Sequence, residues 1–133
     1  MGDEVAHALA HDRVVDITTI GRKTGRARRI EIWMYEIGSS LYISGWPDLP
    51  RGWYANLLSH PEFTLHLKQT TTVDLPARAR PITAPGERRA ILEQIARLTG
   101  GALGDTEALI AGSPLIEVEL RASLRLPSSW RAT

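Results

Sequence analysis

The chain has 133 residues, a length that suits one domain, and domains near that size bury roughly 68–70% of their unfolded surface. It holds no cysteine, which excludes disulfides, thiolate catalysis and cysteine-ligated zinc or iron–sulfur centres. Its 16 basic and 15 acidic residues nearly balance, no apolar run approaches the ~20 residues of a membrane span, and the acidic start at Asp3 and Glu4 lacks a signal peptide's plan, so a soluble cytoplasmic protein is expected.

Residues from Asp3 to Asp12 read as a short helix, with Val5, Leu9 and alanines along one side. His7 and His11 stand four positions apart and share a helical face. Zinc hydrolases use such a pair with a glutamate after the first histidine and a third ligand. Here Ala8 follows His7, so exposed helical histidines are the expectation. The β-branched run Val14 to Ile20 predicts a strand.

The next stretch, Gly21-Arg22-Lys23-Thr24-Gly25-Arg26-Ala27-Arg28-Arg29, carries five cations in nine residues and no acid. Outside it, 11 basic residues face 15 acidic ones, so the positive charge is local. Nucleic-acid binders are more often basic over a whole face. A focused patch suits a small anion instead. Gly21 and Gly25 are expected to supply the backbone freedom of a tight turn. Beyond the turn, Ile30, Ile32 and Met34 share one face of a second strand, and Glu31, Trp33 and Tyr35 share the other. Large side chains on both faces imply cover on both sides, the second supplied by a partner subunit.

Gly38-Ser39-Ser40 turns the chain into a third strand, Leu41 to Gly45, completing an antiparallel meander. Trp46 to Gly52 is too rich in proline and glycine for regular structure. Trp53 to His60 forms a short helix that Pro61 stops, and His60 at its end reads as a cap rather than a base. Phe63, Leu65 and Leu67 alternate with Thr64, His66 and Lys68, the pattern of a half-buried strand. Val73, Leu75, Ala77 and Ala79 continue the sheet. Pro85 suits the first turn of a helix whose apolar stripe is Ile91, Leu92, Ile95 and Leu98. Gly100-Gly101 ends it. A short helix follows near Thr106 to Ala111, then a last strand from Leu115 to Leu120. The fold class expected is α+β, mainly β: a small barrel of about six antiparallel strands with flanking helices, spanning residues 1–133 as one domain.

Hydrolase and phosphate-loop signatures are absent: there is no Gly-x-Ser-x-Gly elbow, and Gly21-x-x-x-Gly25 lacks the P-loop spacing. With no evident nucleophile, metal or base, bound-cofactor chemistry is the expectation. Arginine offers bidentate donors to phosphate or carboxylate, lysine a compact charge, and Thr24 a hydroxyl. Free backbone N–H groups around Gly25 would add an anion nest. Trp46, Trp53 and Tyr54 supply flat faces suited to wall a ring system, or, for Trp53, to pack the helix on the core.

Four motifs in register carry a resemblance to a known family. They are Ile20 to Arg28, Ile30 to Trp33, Leu41 to Gly45, and Trp53 to Pro61. Over roughly Val15 to Lys68 the chain resembles the deazaflavin-dependent nitroreductase family, within the flavin-binding split β-barrel superfamily. The resemblance implies a split β-barrel (PNP-oxidase-like) that binds coenzyme F-420, a deazaflavin with a phosphate and oligoglutamate tail, with FMN as the alternative. It implies tail contacts from Arg22, Lys23, Thr24, Gly25 and Arg28. Ser44, Gly45 and Trp46 would lie near the ring and its phosphate, and Trp53, Tyr54 and Asn56 would begin the helix that closes the site.

The implied activity is hydride transfer from the reduced coenzyme to a quinone, enone or nitro compound. A non-catalytic carrier of the coenzyme is the alternative. A homodimer is expected, with no nucleic-acid or membrane partner, and no metal. Two departures stand out. Pro47, Asp48 and Pro50 occupy a loop where relatives often carry glycines and basic residues, and no tyrosine follows Tyr54, although relatives place tyrosines late in the chain near the substrate.

Overall fold

The computed structural model describes residues 2–47 and 52–120. Asp48 and Pro50, singled out above, lie outside the described residues. The elements run α1 (Gly2–His11), β1 (Val14–Ile20), β2 (Ala27–Ile37), β3 (Ser40–Ser44), α2 (Gly52–Ser59), β4 (Glu62–Leu67), β5 (Val73–Pro81), α3 (Pro85–Leu98), α4 (Thr106–Gly112) and β6 (Leu115–Leu120).

The strands close into a barrel in the order β1-β2-β3-β6-β5-β4, and every neighbouring pair is antiparallel. The meander β1-β2-β3 forms as its short turns dictate. Closure needs two long-range pairings. Strand β4 returns to β1, placing Leu65 opposite Ile17. Strand β6 inserts between β3 and β5, placing Val118 opposite both Leu41 and Ala79.

Strand alternation divides the apolar residues between two cores. Val15, Ile17, Met34, Ile43, Leu65, Leu75 and Val118 belong to the first, which α1 joins through Val5, Ala8 and Leu9. On the opposite strand faces, Tyr35, Tyr42 and Leu115 meet Ile91, Leu92 and Ile95 of α3. Burying each such side chain contributes roughly 1.5–3 kcal/mol. The second face of β2, for which cover was expected, is covered only in part, by α3. Tyr35 packs against the chain's own α3 and is 2% exposed, whereas Trp33 on the same face stays 51% exposed.

Several local bonds hold the helices against this barrel. Helix α3 ends in a Schellman arrangement: Gly101 N donates to Ala96 O and Gly100 N to Arg97 O. Gly100, the first residue past the cap, has the positive φ that motif requires, 61°, and Gly101 follows at 81°. Asp105 caps α4 by accepting from Ala108 N at 3.0 Å. The Arg88 guanidinium donates to the carbonyls of Ile82, Leu109, Ile110 and Ser113, tying the C-terminal end of α4 to α3. The segment 99–105 is thereby held in place between two anchored helices.

Candidate functional site

The basic turn is built by hydrogen bonds that consume most of its interior. Gly21 N donates to Arg26 O, and Gly25 N donates back to Gly21 O, each at 2.8 Å. Arg26 N donates to Thr24 Oγ1 at 3.2 Å. The two glycines serve different needs. Gly25 sits at φ 70°, while Gly21 is required by crowding: a Cβ there would lie 2.7 Å from Thr24 Oγ1. The nest expected around Gly25 is corrected by these bonds, because the Gly25 and Arg26 N–H groups point into the turn. The N–H groups of Lys23 and Thr24 keep no partner among the described residues.

Asn56 fastens the turn to α2. Its Oδ1 accepts from Arg22 N and its Nδ2 donates to Thr19 Oγ1, both at 3.1 Å. Buried to 8% exposure, Asn56 acts as a clamp between helix and hairpin. Above it opens a cleft of about 440 Å³ lined by Thr19, Gly21, Arg22, Lys23, Thr24, Arg28, Ile30, Gly52, Trp53 and Asn56. None of these residues is acidic. The side chains of Arg22, Lys23 and Arg28 have no carboxylate partner among the described residues.

The other two cations of the turn do not line this cleft. Arg29, on the opposite face of β2, donates to Asp16 at 2.9 Å. Lys68 bonds the same carboxylate, and Lys68 first, then Arg29, hold the Asp16 pKa below its usual value against partial desolvation. Arg26 lies outside the lining. So alternation along β2 sends Arg28 to the cleft and Arg29 to an outer-face ion pair, while Arg22 and Lys23 reach the cleft from the turn itself.

A second cleft, about 460 Å³, adjoins the first. Ile30 and Trp53 line both. Its walls are largely apolar and aromatic: Trp33, Tyr35, Trp46 and Trp53 with Ile32, Gly45, Ala102, Leu103 and Pro114. Trp53 stands edge-on to Tyr54 at 5.8 Å between ring centroids. Tyr54 itself packs on the barrel core and lines neither cleft. Ser44 lines the aromatic cleft, but its hydroxyl is buried and donates to Pro114 O at 2.7 Å. Gly25 lies outside both clefts.

Trp33, Tyr35 and the segment containing Thr99, Ala102 and Leu103 are site residues that sequence reading missed. For Trp33 and Tyr35 the signal was present, as large side chains on the second face of a strand. For residues 99–103 only the distant anchoring of α3 and α4 brings them in. The remaining histidines stay outside both clefts. His7 and His11 stack with ring centroids 4.2 Å apart, and no group of three potential metal ligands occurs among the described residues. His60 is exposed at the end of α2. His66 links Thr18 to Asp74 between β1, β4 and β5, at 2.6 and 2.7 Å.

A closed antiparallel barrel with flanking helices is the split β-barrel, or PNP-oxidase-like, fold. Solved structures share it at low identity. HutZ, described as a heme storage protein from Vibrio cholerae, aligns at TM-score 0.69 and 13% identity, over 90% of this chain and 89% of that one. A putative pyridoxamine 5'-phosphate oxidase from Listeria innocua aligns at 0.66 and 12%, over 90% and 93%. An F-420-H2 dependent reductase (FDR-A) aligns at 0.60 and 19%, over 81% and 95%. These likenesses establish the fold. The family follows from the sequence: the model for F-420H(2)-dependent quinone reductase matches residues 1–108, and the chain belongs to that family. The matched span includes every lining residue of the basic cleft, and all those of the aromatic cleft except Pro114. Among curated proteins none matches the chain. No helix among the described residues is long and apolar enough to cross a membrane.

Proposed function

We propose that the protein is a deazaflavin-dependent oxidoreductase that passes a hydride from reduced coenzyme F-420 to a small organic acceptor, a quinone, enone or nitro compound. The observation that carries this reading is that a cationic cleft and an aromatic cleft share Ile30 and Trp53 in their linings. The two clefts therefore lie side by side. Each volume falls within the ~300–1,000 Å³ of small-molecule sites.

The residues present fit a flat ring with a long anionic tail. Arg22, Lys23 and Arg28, with the open N–H groups of Lys23 and Thr24, would hold the tail. Charge-assisted contacts of this kind are stronger than neutral ones. Gly45, Trp46 and Trp53 would wall the ring, and the bound Ser44 hydroxyl fixes the strand end beside it. The coenzyme, when bound, supplies the hydride. The chain's own contribution is orientation and the exclusion of water: the apolar walls would hold coenzyme and acceptor together, which lowers the entropic part of the barrier.

A second copy of the chain would cover Trp33 and Trp46, which are 51% and 45% exposed at the rim. This reading makes the protein a homodimer burying more than ~2,000 Å², and a monomer by sedimentation at micromolar concentration would contradict it. The activity is tested by mixing purified protein, reduced coenzyme and menadione and following coenzyme oxidation. Steady turnover supports the reductase. Tight coenzyme binding with no turnover of quinone, enone or nitro acceptors would make the protein a carrier.

A further inference from the structure

Buried tyrosines normally pair their hydroxyl. Tyr35 does not. The residue is 2% exposed, yet its hydroxyl has no hydrogen-bond partner among the described residues. It is also not among the sealed, orphaned polar atoms, a condition that falls to Ser113 Oγ. The Tyr35 hydroxyl therefore touches accessible space, and Tyr35 lines the aromatic cleft.

The other oxygen-bearing side chains of that cleft are committed. Ser44 donates to Pro114 O. Thr99 donates to Ile95 O and Ala96 O. Glu31 accepts from Lys68. Tyr35 is thus the one uncommitted hydroxyl in the lining, within a largely apolar wall where a single hydrogen bond discriminates strongly. Trp33 stands beside it on the same face of β2.

We propose that Tyr35 is the acceptor-recognition residue of this cleft: its hydroxyl donates a hydrogen bond to an oxygen of a planar acceptor, so the cleft selects carbonyl- or nitro-bearing arenes over hydrocarbons of the same shape. The inference rests on the proposed function above, in which Gly45, Trp46 and Trp53 would wall the coenzyme ring; the acceptor would then lie toward Trp33 and Tyr35, which line the same cleft. Burial pushes the Tyr35 phenol above its usual pKa, opposed by Arg13, whose guanidinium lies 5.7 Å from the ring centroid. The group stays a neutral donor near pH 7. No proton transfer is required of it; the bond positions the acceptor and offsets charge gathering on its oxygen.

Equilibrium dialysis of the full chain against 1,4-naphthoquinone and naphthalene, with and without saturating oxidised coenzyme, tests this. The wild type should prefer the quinone by about tenfold or more, and Tyr35→Phe should abolish that preference while leaving coenzyme affinity within twofold. Trp33→Ala should weaken both probes alike. Equal preference in wild type and Tyr35→Phe would overturn the proposal, as would a Trp33→Ala variant that keeps both affinities. Parallel loss of coenzyme binding in Tyr35→Phe would also overturn it, by making the role structural. Failure of the wild type to bind coenzyme would instead sink the proposed function, and the coenzyme-free dialysis would still decide Tyr35.

Discussion

Asn56→Ala separates a clamp from a ligand. Asn56 joins two elements through bonds of 3.1 Å to Arg22 N and Thr19 Oγ1. Two neutral hydrogen bonds contribute roughly 1 kcal/mol each, and stranding a buried partner costs about 1–3 kcal/mol more. Thr19 is only 1% exposed, so water does not readily replace the lost amide. The sum is a destabilisation of about 3–5 kcal/mol, read as a lower urea midpoint at unchanged slope. Coenzyme affinity should fall as well, because Arg22 loses its backbone anchor, but by less than removal of a lining cation causes. A variant with stability within ~0.5 kcal/mol of wild type and a large loss of affinity would refute the clamp and make Asn56 a direct ligand.

Three further outcomes are expected. Lys23→Ala or Arg28→Ala should weaken coenzyme binding about tenfold, less at high salt where exposed charges are screened, while Arg29→Ala should change it little because that guanidinium is held by Asp16; calorimetric titration at two ionic strengths checks this. Arg88→Ala should cost about 2–4 kcal/mol in urea unfolding, since four carbonyls lose a donor fork that lysine, a point charge, does not reproduce. Asp16, held below its usual pKa chiefly by Lys68, and Glu87, held down chiefly by Arg80, contribute stability that is present above the ordinary carboxylate pKa and lost as pH falls below it; the urea midpoint should decline below about pH 4, and Asp16→Asn should flatten that decline.

The elements themselves were legible because each obeys a short-range rule. A β-branched run marked β1, alternation marked β2 and β4, and Pro61 stopped α2 at Ser59. Gly100 and Gly101 closed α3 with the bonds that such glycines form. A barrel was expected from the order of the elements, but the insertion of β6 between β3 and β5 has no local signature, since loop lengths alone permit other orders. The basic turn was legible as charge but not in its internal bonding. Nothing in Gly21 to Arg29 says that Arg29 will turn to Asp16, a residue thirteen positions earlier, or that the Gly25 amide will be consumed internally. Tyr35 was visible as a large side chain on a second strand face, and a partner subunit was expected there. Its actual cover, α3, lies about fifty residues further along, beyond the reach of any periodicity argument.

The central claim is that the cationic cleft and the aromatic cleft act as one site for a ring with an extended anionic tail. Fluorescence titration of the purified protein with coenzyme F-420, with a short-tailed deazaflavin and with FMN tests it most directly. Three lining cations exceed what a single phosphate pairs, so the full-length deazaflavin should bind about ten- to a hundredfold more tightly than FMN, or ~1.4–2.8 kcal/mol. Shortening the tail should close much of that gap, and so should Lys23→Ala. FMN binding as tightly as the deazaflavin, or tail length without effect, would contradict the claim and leave the basic cleft with no part in coenzyme recognition.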